Sequence, residues 1–231
     1  CKGSTPLGFM VSVGLDEHTF LSELMGLLEG ASSSARAHGG WLIGGDLNES
    51  KDPWVSVCGI GVGSTRPPPR RGARPGDLVV VTEMFGLTGA GFHAHSNGIS
   101  MDELPPDIRE SIIKATSRPV APLVFLSLVA RLDANISASM DSSDGLAFSL
   151  HEISKSSGYK IEVSRLPAHP NAVKYAEEFN ADLEELVFYG GEEFQTVFTV
   201  DENVLGEVVE VLGEDAVIGR VLDERGCGVL Y

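Results

Sequence analysis

Apolar and polar positions along this chain repeat with two different periods, and the changes between them mark its elements. The run "PLGFMVSVGL" (6–15) is short, apolar and β-prone. After it, Phe20, Leu21, Leu24, Leu27, Leu28, Ala31 and Ala35 recur at helical spacing, with Asp16 placed to cap that helix and Gly39–Gly40 to end it. "WLIG" (41–44) reads as a strand, "GDLNESKDP" (45–53) as a loop and "WVSVCGIGV" (54–62) as a further strand. The stretch 64–77, "STRPPPRRGARPGD", is rich in Pro, Gly and Arg, so it neither continues a helix nor fits a central strand. It predicts a connection between an N-terminal part, 1–72, and a second part, 73–231.

The second part alternates. "LVVVT" (78–82) reads as a buried strand, "PLVFLSLVARL" (122–132) as a buried helix and "NISASM" (135–140) as a strand. The helix-like "GLAFSLHEISKSSG" follows, then strands near "YKIEV", "FQTVFTV" and "AVIGRVL", with helices expected around 171–180 and 203–212. The pattern is mixed α/β, with no internal repeat.

Composition narrows the class. The 231 residues include 33 Asp+Glu against 17 Lys+Arg, a formal charge of −16. Such a charge repels nucleic acid and anionic membrane, although divalent metal can invert the local field and recruit a polyphosphate. No apolar run approaches the 18 residues of a membrane span. Cys1, Cys58 and Cys227 are odd in number and lack C-x-x-C spacing, which predicts neither a disulfide framework nor structural zinc and points to a reducing cytoplasm. Cys58, flanked by strand residues, is expected to be a small core hydrophobe.

The chemistry concentrates at three junctions of glycine with acid. In "MDSSDGL" (140–146), Asp141 is expected at a strand end, with Ser143 or Asp144 at a helix entry. Two carboxylates about 4 Å apart repel by ~1 kcal/mol in water and ~4 kcal/mol in a partly screened site. A single N-cap needs only one such residue, so the pattern leaves open capping or a ligand held by carboxylates and helix N–H groups. "IGGDLNES" (43–50) brings Gly45 and Asp46 together, either as a plain strand exit or as a close backbone approach to a ligand. "YGGEEFQTVFTV" (189–200) carries Glu192 and Glu193 after a double glycine. Arg66, Arg70, Arg71 and Arg74 are a solvated run by default, or a basic cluster suited to phosphate. His93 and His95 favour no metal role. P-loop, nucleophile-elbow and zincin motifs are absent.

"GGWLIGGDLNE", "RRGARPGDLVVVT", "MDSSDGLAFSLHEISKSSG", "YGGEEFQTVFTV" and "VIGRV" follow "PLGFMVSVGL" in the order and spacing of the thiamine-monophosphate kinase family, and over nearly its whole length the chain resembles that family. The resemblance implies a two-domain α/β fold of the aminoimidazole-ribonucleotide-synthetase-like (PurM-like) group, with the N-terminal domain partial and the C-terminal one complete. It further implies homodimers paired through the N-terminal domains and ATP held through several Mg2+ ions. Phosphoryl transfer would pass directly to thiamine monophosphate without a protein nucleophile. Residue by residue, it implies Asp46, Asp141 and Asp144 as metal ligands, Gly45, Asp46, Arg70 and Ser143 as ATP contacts, and Glu192 as a substrate contact. Family members begin with an acidic segment before the position of "CKGSTPLGF", so the resemblance implies a chain lacking that segment. Cys227 stands near an aromatic position of the family, which leaves the acceptor open. A sister enzyme activating another substrate and a non-catalytic nucleotide-binding module are the alternatives.

Overall fold

A computed structural model describes residues 2–63 and 67–231, so Cys1 and Arg66 lie outside the described residues. Among the described residues the chain divides into two compact units. One lies within Ser4–Ser64, and the other is made of Thr65–Tyr231 together with Cys1–Gly3.

In the smaller unit, β1 (Thr5–Leu15) lies between β2 (Trp41–Glu49), to which it is parallel, and β3 (Trp54–Val62), to which it is antiparallel. The helix α1 (Leu21–Ala37) turns Leu24, Leu27, Leu28, Ala31 and Ala35 of the expected stripe inward, whereas Phe20 and Leu21 are exposed at its start. Its start is later than expected. Asp16 instead closes a turn, its Oδ1 accepting from His18 N at 2.7 Å, and the helix is entered at Phe20, whose N–H donates to Glu23 Oε2 at 2.9 Å. The expected loop at 45–53 is also corrected, because β2 continues to Glu49 with Gly45 beside Val11 and Asp46 beside Ser12. Gly45 is what allows this: a Cβ there would collide with the Val11 carbonyl, so only a bare backbone lies so close to β1. Cys58 is exposed on β3, whose nine residues are all exposed, and not a core residue.

The larger unit is built on a six-stranded sheet in the order β5-β7-β4-β8-β6-β9. Its strands are β4 (Leu78–Val81), β5 (Ile136–Asp141), β6 (Tyr159–Val163), β7 (Thr196–Val200), β8 (Val217–Arg225) and β9 (Val229–Leu230). β4 is buried along its length, antiparallel to both neighbours, and sends alternate residues to two cores. Val79 and Val81 join Met140, Val197 and Ile218 beneath Leu146, Leu150 and Ile153 of α5 (Leu146–Ser157). Leu78 and Val80 join Phe198 and Val200 beneath Phe125, Leu128, Val129 and Leu132 of α4 (Val124–Leu132), with Val208 of α8 (Leu205–Leu212) beside them. A third cluster packs α2 (Leu87–Ser96), α3 (Pro106–Ser117), α6 (Pro170–Phe179) and α7 (Leu183–Tyr189) around Ile108, Ile112 and Tyr175. His93, on α2, accordingly meets the Tyr175 hydroxyl at 2.8 Å. That tyrosine's pKa is pushed up to about 12 by burial.

Candidate functional site

β5 ends at Asp141 and α5 begins at Leu146, so "SSDG" is a four-residue junction at one edge of the larger sheet. The helix is entered through Gly145 at φ 97°, with no side-chain cap. Neither Ser143 nor Asp144 therefore fills the capping role left open by the sequence. Asp144 is exposed, Asp141 and Ser143 are half-buried, and Ser142 is wholly buried. Among the described residues the Ser142 hydroxyl has no hydrogen-bond partner. Ser149, one turn into α5, braces the junction by donating to Asp141 O at 3.2 Å and to Gly145 O at 3.1 Å.

A second loop clasps the first. Glu192 N donates to Ser143 O at 2.7 Å, Phe194 N to Ser142 O at 2.9 Å and Ser142 N to Gln195 O at 2.8 Å. Glycine favours the close packing here, since a Cβ on Gly191 would sit 3.3 Å from Ser143 O, and one on Gly145 2.8 Å from Phe188 O at the end of α7. Glu192 is held at φ 51°, and its backbone does the tying while its side chain is exposed.

Glu193 does something else. Its carboxylate is buried and accepts from Gly86 N at 2.7 Å and from Thr88 N at 3.4 Å, at the start of α2. Burial raises its pKa, opposed by those hydrogen bonds. Thr88 Oγ1 donates to Gly191 O at 2.6 Å, so α2 secures the double-glycine loop from below. Sequence spacing placed Glu192 and Glu193 together as candidates; the structure gives them opposite exposures and separate work.

The larger unit thus ties the backbone of the 141–145 junction, with Asp141, Ser143 and Asp144, to the loop that carries Glu192. Arg70 is exposed, with Nη1 3.6 Å from Glu152 Oε2 on α5, and Arg71 and Arg74 are exposed as well. Lys2, which carried no signal in the sequence, is also held at β5, with Nζ 2.7 Å from Ser139 O. Gly45 and Asp46 belong to the smaller unit, where they help line a hollow of about 400 Å³ between α1 and the sheet. The Asp46 carboxylate there accepts from Leu47 N at 3.0 Å and from Asn48 Nδ2 at 3.1 Å.

Residues 1–63 match the model of the AIR synthase related protein N-terminal domain, and residues 74–231 that of the AIR synthase related protein C-terminal domain. The thiamine-monophosphate kinase of Pyrococcus horikoshii is 31% identical over 98% of this chain and 68% of its own length. The chain belongs to the thiamine-monophosphate kinase family. Within this family, the enzyme of Methanospirillum hungatei is 32% identical, covering 95% of this chain and 68% of its own. The crystal structure of thiamine monophosphate kinase from Aquifex aeolicus superposes with a TM-score of 0.85 at 28% identity, over 99% of this chain and 75% of that one. A ThiL relative complexed with AMPPCP and TMP matches with the same TM-score at 27% identity. The chain thus spans about two thirds of the length of family members such as the P. horikoshii enzyme. Among the described residues no helix is long and apolar enough to cross a membrane.

Proposed function

We propose that this protein transfers the γ-phosphoryl group of ATP directly to the phosphate of thiamine monophosphate, giving thiamine diphosphate and ADP. The observation that carries the reading is the junction at 141–145. Neither Ser143 nor Asp144 is spent on capping α5, and backbone bonds tie the junction to the loop that carries Glu192. The ThiL relative complexed with AMPPCP and TMP supports the choice of both substrates.

The residues present fit magnesium. Among the described residues no three Asp, Glu, His or Cys side chains converge into a metal-binding group. Magnesium does not need a protein cage, because it is ordinarily held by one or two carboxylates together with substrate phosphates and water. Asp141 and Asp144 supply such a pair, and Asp46 is the further carboxylate we assign to the same role. Bound there, magnesium would neutralise phosphate charge and so lower the repulsion between the two phosphates to be joined.

The chain's own residues then position the reactants. Ser143 and the uncapped start of α5 offer donors to phosphate oxygens. Arg70 is assigned as a further ATP contact of the larger unit, and Gly45 and Asp46 are assigned as ATP contacts supplied by the smaller one. Glu192 faces the acceptor, a role that suits a carboxylate near a cationic ring. Joining two phosphates requires held anions and relieved repulsion and no protein nucleophile. The full-length protein acts as a homodimer in the cytoplasm, without nucleic acid or membrane partners.

The test is to incubate the protein with ATP, Mg2+ and thiamine monophosphate and to follow thiamine diphosphate and ADP by chromatography. The expected result is equimolar product, with turnover reduced at least about a hundredfold by Asp141→Asn and the fold retained, as for loss of an electrostatic stabiliser. A folded protein that binds ATP and forms no thiamine diphosphate would overturn the proposal in favour of a nucleotide-binding module.

A further inference from the structure

One cation at this edge of the sheet has no part in the phosphoryl transfer proposed above. Lys2 belongs to the same compact unit as the 141–145 junction and is half-buried. Its Nζ donates to Ser139 O at 2.7 Å, to Pro68 O at 3.0 Å and to Ser139 Oγ at 3.3 Å. Three protons meet three acceptors, so the ammonium is fixed in place. All three acceptors are uncharged, and among the described residues no carboxylate contacts it. The charge therefore acts on its surroundings, weakly screened because the group is partly out of water.

Those surroundings are the nucleotide-site residues. Ser139 stands two positions before Asp141 on β5, and Pro68 two positions before Arg70. Ser139 N also donates to Pro69 O at 2.8 Å, so the proline stretch and β5 are tied together where Lys2 binds both. Burial lowers the Lys2 pKa, Arg70 lowers it further, and Asp141 raises it, which places both residues within electrostatic range.

We propose that Lys2 is a fixed positioning charge of the nucleotide site, attracting the ATP polyphosphate while opposing magnesium at Asp141. The inference rests on the ATP-binding reading above. It separates from a merely structural role by sign. A fixed cation attracts an anion and repels a cation, so its removal moves the two affinities in opposite directions. Loss of a structural tie would disorder β5 and weaken both.

The experiment measures calorimetric binding of two probes, AMPPCP without magnesium and Mg2+ without nucleotide, to the unsubstituted protein, Lys2→Met and Lys2→Arg. Lys2→Met is expected to weaken AMPPCP about tenfold, with a shallower salt dependence, and to tighten Mg2+ about threefold. Lys2→Arg keeps the charge and is expected to bind both probes as the unsubstituted protein does. Unchanged AMPPCP affinity in Lys2→Met, or weakening of both probes together, overturns the inference. Absence of AMPPCP binding by the unsubstituted protein overturns the ATP reading and this inference with it, and it is distinguished by appearing before any substitution is made.

Discussion

Burial and hydrogen bonding pull the Glu193 carboxyl in opposite directions, and the balance has a measurable consequence. Removal from water disfavours its ionised form more than the N–H groups of Gly86 and Thr88 favour it, so its folded pKa lies above its ordinary 4.5. The folded state therefore holds this proton more tightly than the unfolded chain does. The stability contributed is fully present below about pH 4.5 and is lost as pH rises through the folded pKa. Glu193→Gln can keep the acceptor to Gly86 N without the charge. Thermal melts between pH 4 and pH 8 are expected to show a smaller loss of stability on the alkaline side for Glu193→Gln than for the unsubstituted protein. Identical pH profiles would remove Glu193 from this role. Glu192, one residue earlier, is exposed where Glu193 is buried, so the corresponding Glu192→Gln melts serve as the comparison.

At the scale of elements, the site depends on the 141–145 junction lying close against the end of α7. Gly145 combines φ 97° with a setting in which an added Cβ would lie only 2.8 Å from Phe188 O. Gly145→Ala is expected to lower stability by about 1–3 kcal/mol, from left-handed strain and the displaced clasp, read as a lower midpoint in denaturant. Gly44→Ala, in the other unit, faces open space and is expected to cost less than about 1 kcal/mol. The elements themselves were largely legible. β6 was read at its observed bounds, α5 followed the helix-like run 145–158, and α6 and α8 lie close to the helices expected around 171–180 and 203–212. Legibility failed where glycine and small residues served packing. Gly44–Gly45 looks like a strand exit and is mid-strand, because β2 must approach β1. "LTGAGFHAHS" has too few large apolar residues to announce α2, yet its Gly89 has to be small against Leu186 O of α7. The Asp141–Ser143–Asp144 cluster was visible because acids beside glycine are costly without a purpose. Lys2 was not, since one lysine has no spacing to reveal that β5 surrounds it.

At the scale of the molecule, the smaller unit leaves apolar surface that its own elements do not cover. Val55 and Val57 of β3 are paired with Val13 and Val11 and share their face of the sheet. Val11 and Val13 are buried, whereas Val55 and Val57 are 53% and 59% exposed. The cause is the placement of α1, which packs mainly against β2 and β1. Trp54, Ile60 and Val62 expose the opposite face of the same strand. Contiguous apolar surface of this kind on an edge strand ordinarily pairs with something, and the homodimer proposed above makes a second copy of this unit the partner, through a self-complementary contact. Each copy brings a formal −16, so long-range repulsion opposes the contact and salt relieves it. Sedimentation velocity is expected to show dimers that strengthen between about 50 mM and about 500 mM salt. Val57→Asp, which places a charge on the uncovered face without touching the larger unit's core, is expected to give monomers with an unchanged melting transition. Dimers that persist in Val57→Asp would move the interface elsewhere. Dissociation as salt rises would instead mark the contact as one made by ion pairs, which the apolar character of β3 argues against.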